Sequence, residues 1–174
     1  YLLRNCGPLA SKELSGIFTA ADEDGWFRTA SSPEYYAYTP MWGRLDSVGR
    51  GRLHTLIGKL RDVARRTPDP QHRSTLEWYI ADCRFMLLLD DVGRKLEPAY
   101  RLRKRLRSND GHLTAPLAGD VRTAREGLDQ APVRELFSVY ASRVRSRGEL
   151  GVLSSLNQKL YNEYTDLLRF ISTL

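Results

Sequence analysis

The sequence predicts an all-α fold, an antiparallel helical bundle of about five to six helices around one long, kinked central helix. The first observation is residues 76–106, LEWYIADCRFMLLLDDVGRKLEPAYRLRKRL, the longest helical pattern in the chain. Apolar residues fall at Leu76, Tyr79, Ile80, Cys83, Phe85, Met86, Leu87, Leu89, Val92 and Leu96, mostly at steps of three or four that share one face of a 3.6-residue helix. The second is the unbroken apolar run Phe85 to Leu89, which calls for cover on nearly all sides. The third is negative: no run of period two lasts long enough for a strand.

Each remaining segment then reads as a neighbour for that helix. Residues 1–28 carry a short amphipathic helix with Pro8 in its first turn, where a missing N–H costs nothing. Its stripe is Leu9, Leu14, Ile17 and Phe18; Gly16 weakens it and Gly25 ends it. Residues 29–47 read as a long connection, punctuated by Pro33 and Pro40. Residues 48–66 form a second helix on the apolar spacing Leu53, Leu56, Ile57, Leu60, Val63, with arginines on its other face. The proline-rich TPDPQ ends it, and so short a link favours antiparallel neighbours.

The central helix spans residues 71–108. Pro98 removes a backbone hydrogen bond inside it, so a kink or break is expected between Gly93 and Pro98. Residues 109–120 read as a polar loop, and a helix follows over 118–128. Pro132 starts the next, whose apolar side is Val133, Leu136, Phe137, Val139, Tyr140 and Val144. The last helix runs over 150–171, with a buried stripe of Leu153, Leu156, Leu160, Tyr161, Tyr164, Leu167, Leu168 and Ile171. Asn157 and Asn162 lie close to that seam, as register-setting amides or as ligand contacts.

A chain of 174 residues suffices for a single helical domain, 1–174, with a real core. No apolar run approaches the roughly 20 residues of a membrane span, so no membrane partner is expected, and the chain reads as soluble, secreted or cytoplasmic. The start, Tyr1-Leu2-Leu3-Arg4, does not read as a signal peptide, and the missing initiator Met suggests a processed product, a fragment or a C-terminal domain. Two cysteines are too few to staple the fold; Cys83 reads as a small hydrophobe, and a Cys6–Cys83 disulfide stays open.

Chemistry is sparse. The histidines His54, His72 and His112 are scattered, so no metal site and no cofactor are expected. Asp90 and Asp91 resemble the start of the aspartate-rich magnesium motif of prenyl-transferring enzymes, but the third aspartate is absent. Glu163 and Asp166 form an i, i+3 pair expected on the outer side of the last helix. No catalytic residue is assigned.

Two clusters remain as binding candidates. Trp26, Tyr35, Tyr36, Tyr38 and Trp42 are rings that either cover helix ends or offer a stacking platform to a sugar or base. Arg101, Arg103, Lys104, Arg105 and Arg107 are either a solvated face suited to a helix C-terminus or an anion contact. A net charge of +6 permits nucleic acid, though only five of the 27 basic residues are lysines, an arginine bias that base composition alone produces.

The segments NCGPLASKELSGIF and SRGELGVLSSLNQKLYNEY resemble the helical C-terminal region that follows the catalytic barrel in large glycoside hydrolases of the α-glucuronidase kind. That resemblance implies a non-catalytic accessory domain, with the catalytic acids on a barrel outside this sequence. Its partners would be the catalytic domain of the same polypeptide, or a carbohydrate. The alternatives are a basic helical binder of nucleic acid or other anions, and a magnesium-dependent helical enzyme using Asp90 and Asp91.

Overall fold

A computed structural model describes residues 1–23, 45–108 and 115–174. All regular structure among the described residues is helical. The helices are α1 (Leu2–Glu23), α2 (Ser47–Arg66), α3 (Pro70–Ser108), α4 (Ala115–Gln130), α5 (Val133–Arg143), α6 (Arg147–Leu156) and α7 (Asn162–Ser172), with a π-helical turn, Asn157–Tyr161, joining the last two. The all-α bundle expected from periodicity is what forms.

Contacts divide the chain into two compact units. The first holds described residues 1–23, 45–87 and 138–145, and the second 88–108, 115–137 and 146–174. In the first, α1 is two pieces joined at Gly7, whose φ of 86° lies where only glycine is unstrained. Pro8 therefore opens the second piece, in the first-turn position it suits. The His72 ring sits close against Gly7; a Cβ there would come within 2.9 Å of its Nδ1. Asp46 caps α2 by accepting a 2.6 Å hydrogen bond from the Gly49 N–H. Asp69 accepts from the His72 N–H at 2.8 Å, just ahead of Pro70 at the start of α3. Only Thr67, Pro68 and Asp69 separate α2 from α3.

The first unit's core joins Cys6, Ala10 and Leu14 of α1 to Leu53, Leu56, Ile57, Leu60 and Val63 of α2 and to Leu76, Cys83 and Met86 of α3. Both cysteines are free and buried. Burial, and then the charge of Asp82, pushes the Cys83 thiol up to about 12, which makes it an unreactive apolar group. Arg66 closes the edge with two bonds to Glu13 at 2.8 and 2.5 Å.

In the second unit, side-chain bridges show how α3 and α4 run. Lys95 meets Gln130 and Arg105 meets Asp120, so one index falls as the other rises and the helices are antiparallel. Against α4, α7 is also antiparallel: the Tyr164 hydroxyl donates to the Leu128 carbonyl and Arg125 donates to that of Ile171. The core gathers Leu89, Val92, Leu96, Ala99, Leu102 and Leu106 of α3 with Ala124, Leu128, Leu136, Leu156, Leu160, Leu167 and Ile171. Helix α3 passes through Pro98 without a break, as one continuous helix rather than two.

Two helix starts in the second unit differ from expectation. Helix α4 starts at Ala115, inside the expected loop, because Pro116 in its first turn promotes helix rather than ending it. Helix α6 starts at Arg147 because Ser146 caps it, accepting from the Glu149 N–H while bonding the Glu149 carboxylate. The π turn lets α6 run on into α7 as one rod.

Two glycines give opposite expectations. A Cβ at Gly127 would collide with the Lys95 backbone carbonyl, so Gly127→Ala is expected to cost about 1–3 kcal/mol in urea unfolding. Gly16 lies in helix with open space around it, so Gly16→Ala is expected to stabilise by about 0.5–1 kcal/mol. Equal effects at the two sites would contradict this packing.

Candidate functional site

The basic cluster on α3 is split by the helix period. Arg94, Glu97, Arg101, Lys104 and Arg105 recur at helical spacing and line one groove of about 530 Å³ in the second unit, with Asp120 and Thr123 of α4 opposite. Arg103 points elsewhere. It bonds the Glu163 carboxylate of α7 and lies 5.1 Å from the centre of the Tyr100 ring. Arg107 is exposed and does not line the groove. The five cations therefore do three different jobs.

Within the groove, charge is largely compensated. Arg101 bonds Glu97 and Arg105 bonds Asp120. Arg94 is held by the buried Asp90 carboxylate, so three of the four cations in the described lining have a carboxylate partner. Arg101 and Arg105 are 73% and 59% exposed, and pairs of that kind are worth about 0.2–1 kcal/mol. A ligand anion of matching geometry can displace such a partner.

Glu163 is half-buried rather than outward-facing, because Arg103 and Tyr100 draw it in. Burial first, and then Glu163, pushes the Tyr100 phenol up and keeps it neutral. This is a structural tie between α3 and α7 inside the second unit.

The structure commits Asp90 to an ion pair within α3. The Asp90 side chain is fully buried and bonds Arg94 at 2.9 Å. No group of three metal-ligating side chains occurs among the described residues.

The aromatic candidates Trp26, Tyr35, Tyr36, Tyr38 and Trp42 lie outside the described residues. A different aromatic group appears on the π turn. Tyr161, expected in the buried stripe, is 43% exposed. The Phe137 ring lies 6.0 Å from it, edge-on at 78°, and the Tyr164 ring 6.3 Å away, tilted by 49°. Neither neighbour is stacked parallel on Tyr161. Asn157 and Asn162 are exposed on the same turn rather than beside the core. The π turn explains both corrections: one extra residue in the turn carries Tyr161 out of the seam while Leu156, Leu160 and Leu167 stay in it. Nothing in the apolar spacing signals that insertion.

Sequence reasoning also missed a buried ion pair in the first unit. Arg143 of α5 bonds Asp82 of α3, and both side chains are at least nine-tenths buried. The guanidinium carbon lies 4.9 Å from the Trp78 ring centre, 4.8 Å from Tyr140 and 5.7 Å from Phe85. Its Nε finds no hydrogen-bond partner. The rings compensate part of the desolvation that the missing bond leaves. Such a box holds a cation in place and admits no substrate.

Comparison with protein-family models, with curated proteins and with solved structures gives no match.

The buried pair has a testable energetic signature. Arg143→Met strands the Asp82 carboxylate and is expected to cost about 3–5 kcal/mol at neutral pH. At Asp82 burial outweighs Arg143, so the folded chain holds the carboxyl proton to higher pH than the unfolded chain. That proton favours folding below the ordinary value of 3.8, and the advantage is lost as pH rises through the raised pKa. The stability gap between the parent chain and Asp82→Asn is therefore expected to be widest below about pH 4 and to narrow towards neutrality. Urea titrations across that range check it, and a gap widening with pH would contradict it.

Proposed function

We propose that this chain is a helical accessory module of a carbohydrate-active enzyme, contributing sugar contact or support to a catalytic barrel rather than the bond-breaking step. The resemblance of NCGPLASKELSGIF and SRGELGVLSSLNQKLYNEY to the helical region of glycoside hydrolases supplies the family of the proposal. The observation that supports sugar contact is the exposed Tyr161 ring, with Phe137 edge-on and Tyr164 tilted beside it and the Asn157 and Asn162 amides close by. Pyranose faces present C–H groups that pack on aromatic rings, and their hydroxyls pair with amides. A rigid helical seat lowers the entropy cost of that contact.

A second reading has its own support. The groove on α3 carries four cations, two of them in exposed and weakly held pairs, which suits a basic binder of nucleic acid or another anion.

The two readings separate in one titration series. Neutral and acidic oligosaccharides are expected to shift Tyr161 ring resonances with a dissociation constant of about 0.1–5 mM, little changed by salt. Tyr161→Ala is expected to abolish the binding without loss of helicity. Absence of any shift at millimolar oligosaccharide would overturn sugar contact. Binding of DNA or RNA that weakens steeply with salt, and is lost in Arg101→Gln/Arg105→Gln, would establish the second reading instead.

A further inference from the structure

The buried Arg143–Asp82 pair stands at the end of a helix. Both partners belong to the first unit, Asp82 inside α3 and Arg143 as the last residue of α5. The connection that follows, residues 144–146, is not helical. In the last turn of α5, Ala141 and Ser142 are exposed and Arg143 alone is buried. Next to it, Arg145 donates to the Ser74 carbonyl at 2.6 Å and to the Ser74 Oγ at 2.9 Å, an exposed tie to the start of α3. One buried ion pair is thus the main polar anchor of a turn that has little else to hold it.

The groups around Asp82 are few among the described residues. Arg143 reaches it from α5 and is the one charged group acting on it. Cys83 and Tyr79 of α3 sense its charge, and burial holds their protons more firmly than usual, so both stay neutral. From α1 and the residue before it, Cys6 and Tyr1 act on Tyr79. Trp78, Phe85 and Tyr140 surround the guanidinium with rings. None of these supplies Arg143 with a second carboxylate. Burial also holds the Asp82 proton to higher pH than in an ordinary aspartate, and Arg143 offsets only part of that.

Acid therefore acts on the two partners unequally. When a solvent proton binds the Asp82 carboxylate, the acid becomes neutral and tolerates burial. The guanidinium cannot follow, because arginine keeps its charge in proteins. It is left as a buried cation with no counter-charge, and its Nε already lacks a hydrogen-bond partner. The easiest relief is local. Unwinding the last turn of α5 carries Arg143 into water and moves no other buried side chain of that turn. We propose that Asp82 and Arg143 form an acid-released latch, in which protonation of Asp82 frees the end of α5, residues 141–145, from α3 while the rest of the first unit stays folded. The latch is independent of the sugar-contact reading, since Tyr161 belongs to the other unit.

Residue-resolved hydrogen exchange on the whole chain, corrected for the intrinsic effect of pH on exchange, tests it. The reading is the protection of the Arg143 and Val144 amides relative to those of Leu56 and Leu60 in α2. From about pH 7 to about pH 4 that ratio is expected to fall at least about tenfold. A global loss of stability would instead bring the two sets together. Asp82→Asn, which removes the charge at every pH, is expected to give the low ratio at both ends of the range. Asp82→Asn/Arg143→Met leaves no cation to expel and is expected to keep the high ratio at both ends. A ratio in the parent chain that does not fall in acid would overturn the proposal, and this series needs no variant. So would a folded Asp82→Asn chain as well protected as the parent at neutral pH, or a double variant that still opens in acid.

Discussion

The middle of helix α3, residues 82–93, has to be buried on nearly every side, and the other helices are arranged to do it. Over its 39 residues, Leu76, Cys83, Phe85, Met86, Leu89, Val92, Leu96, Ala99, Leu102 and Leu106 are all but inaccessible to water. Removing any one of those leucines leaves a cavity costing about 2–5 kcal/mol, which is a large part of a domain's total stability. Residues up to Leu87 serve the core of the first unit, and those from Leu88 serve the second. One helix therefore supplies the apolar wall of both cores. The amphipathic stripes of α1 and α2 in one unit, and of α4 and the α6–α7 rod in the other, exist to meet it.

Charge is distributed by the same geometry. Arginines that fall on the buried side of a helix have specific partners, Asp82 for Arg143 and Glu163 for Arg103. Those on the outer sides sit in grooves, where pairs are exposed and easily exchanged. A count of basic residues hides this division. Net charge describes what the whole surface attracts, while burial decides which cations a ligand can reach. The position of each arginine in the helical period separates the two sets.

Periodicity made the fold readable, because burying one stripe per helix is the largest energetic demand in the chain. The apolar spacing of α2, α3 and α7 placed most of their core residues directly. Less readable were features decided by one or two polar atoms. Ser146 moved the start of α6, Pro116 drew the start of α4 forward, and the π turn rotated Tyr161 outward. The candidate sites were harder still. The run Arg101 to Arg107 reads as one patch in sequence, yet on a helix it faces several directions. The Arg143–Asp82 pair joins residues 61 positions apart and leaves no local pattern.

Hydrogen exchange followed residue by residue along α3 tests the central claim most directly. If both cores are built on this helix, its amides from Leu76 to Leu106 exchange among the slowest in the chain, on both sides of Leu87 and through Pro98's neighbours. Fast exchange across residues 85–92, while α2 and α7 stay protected, would contradict it.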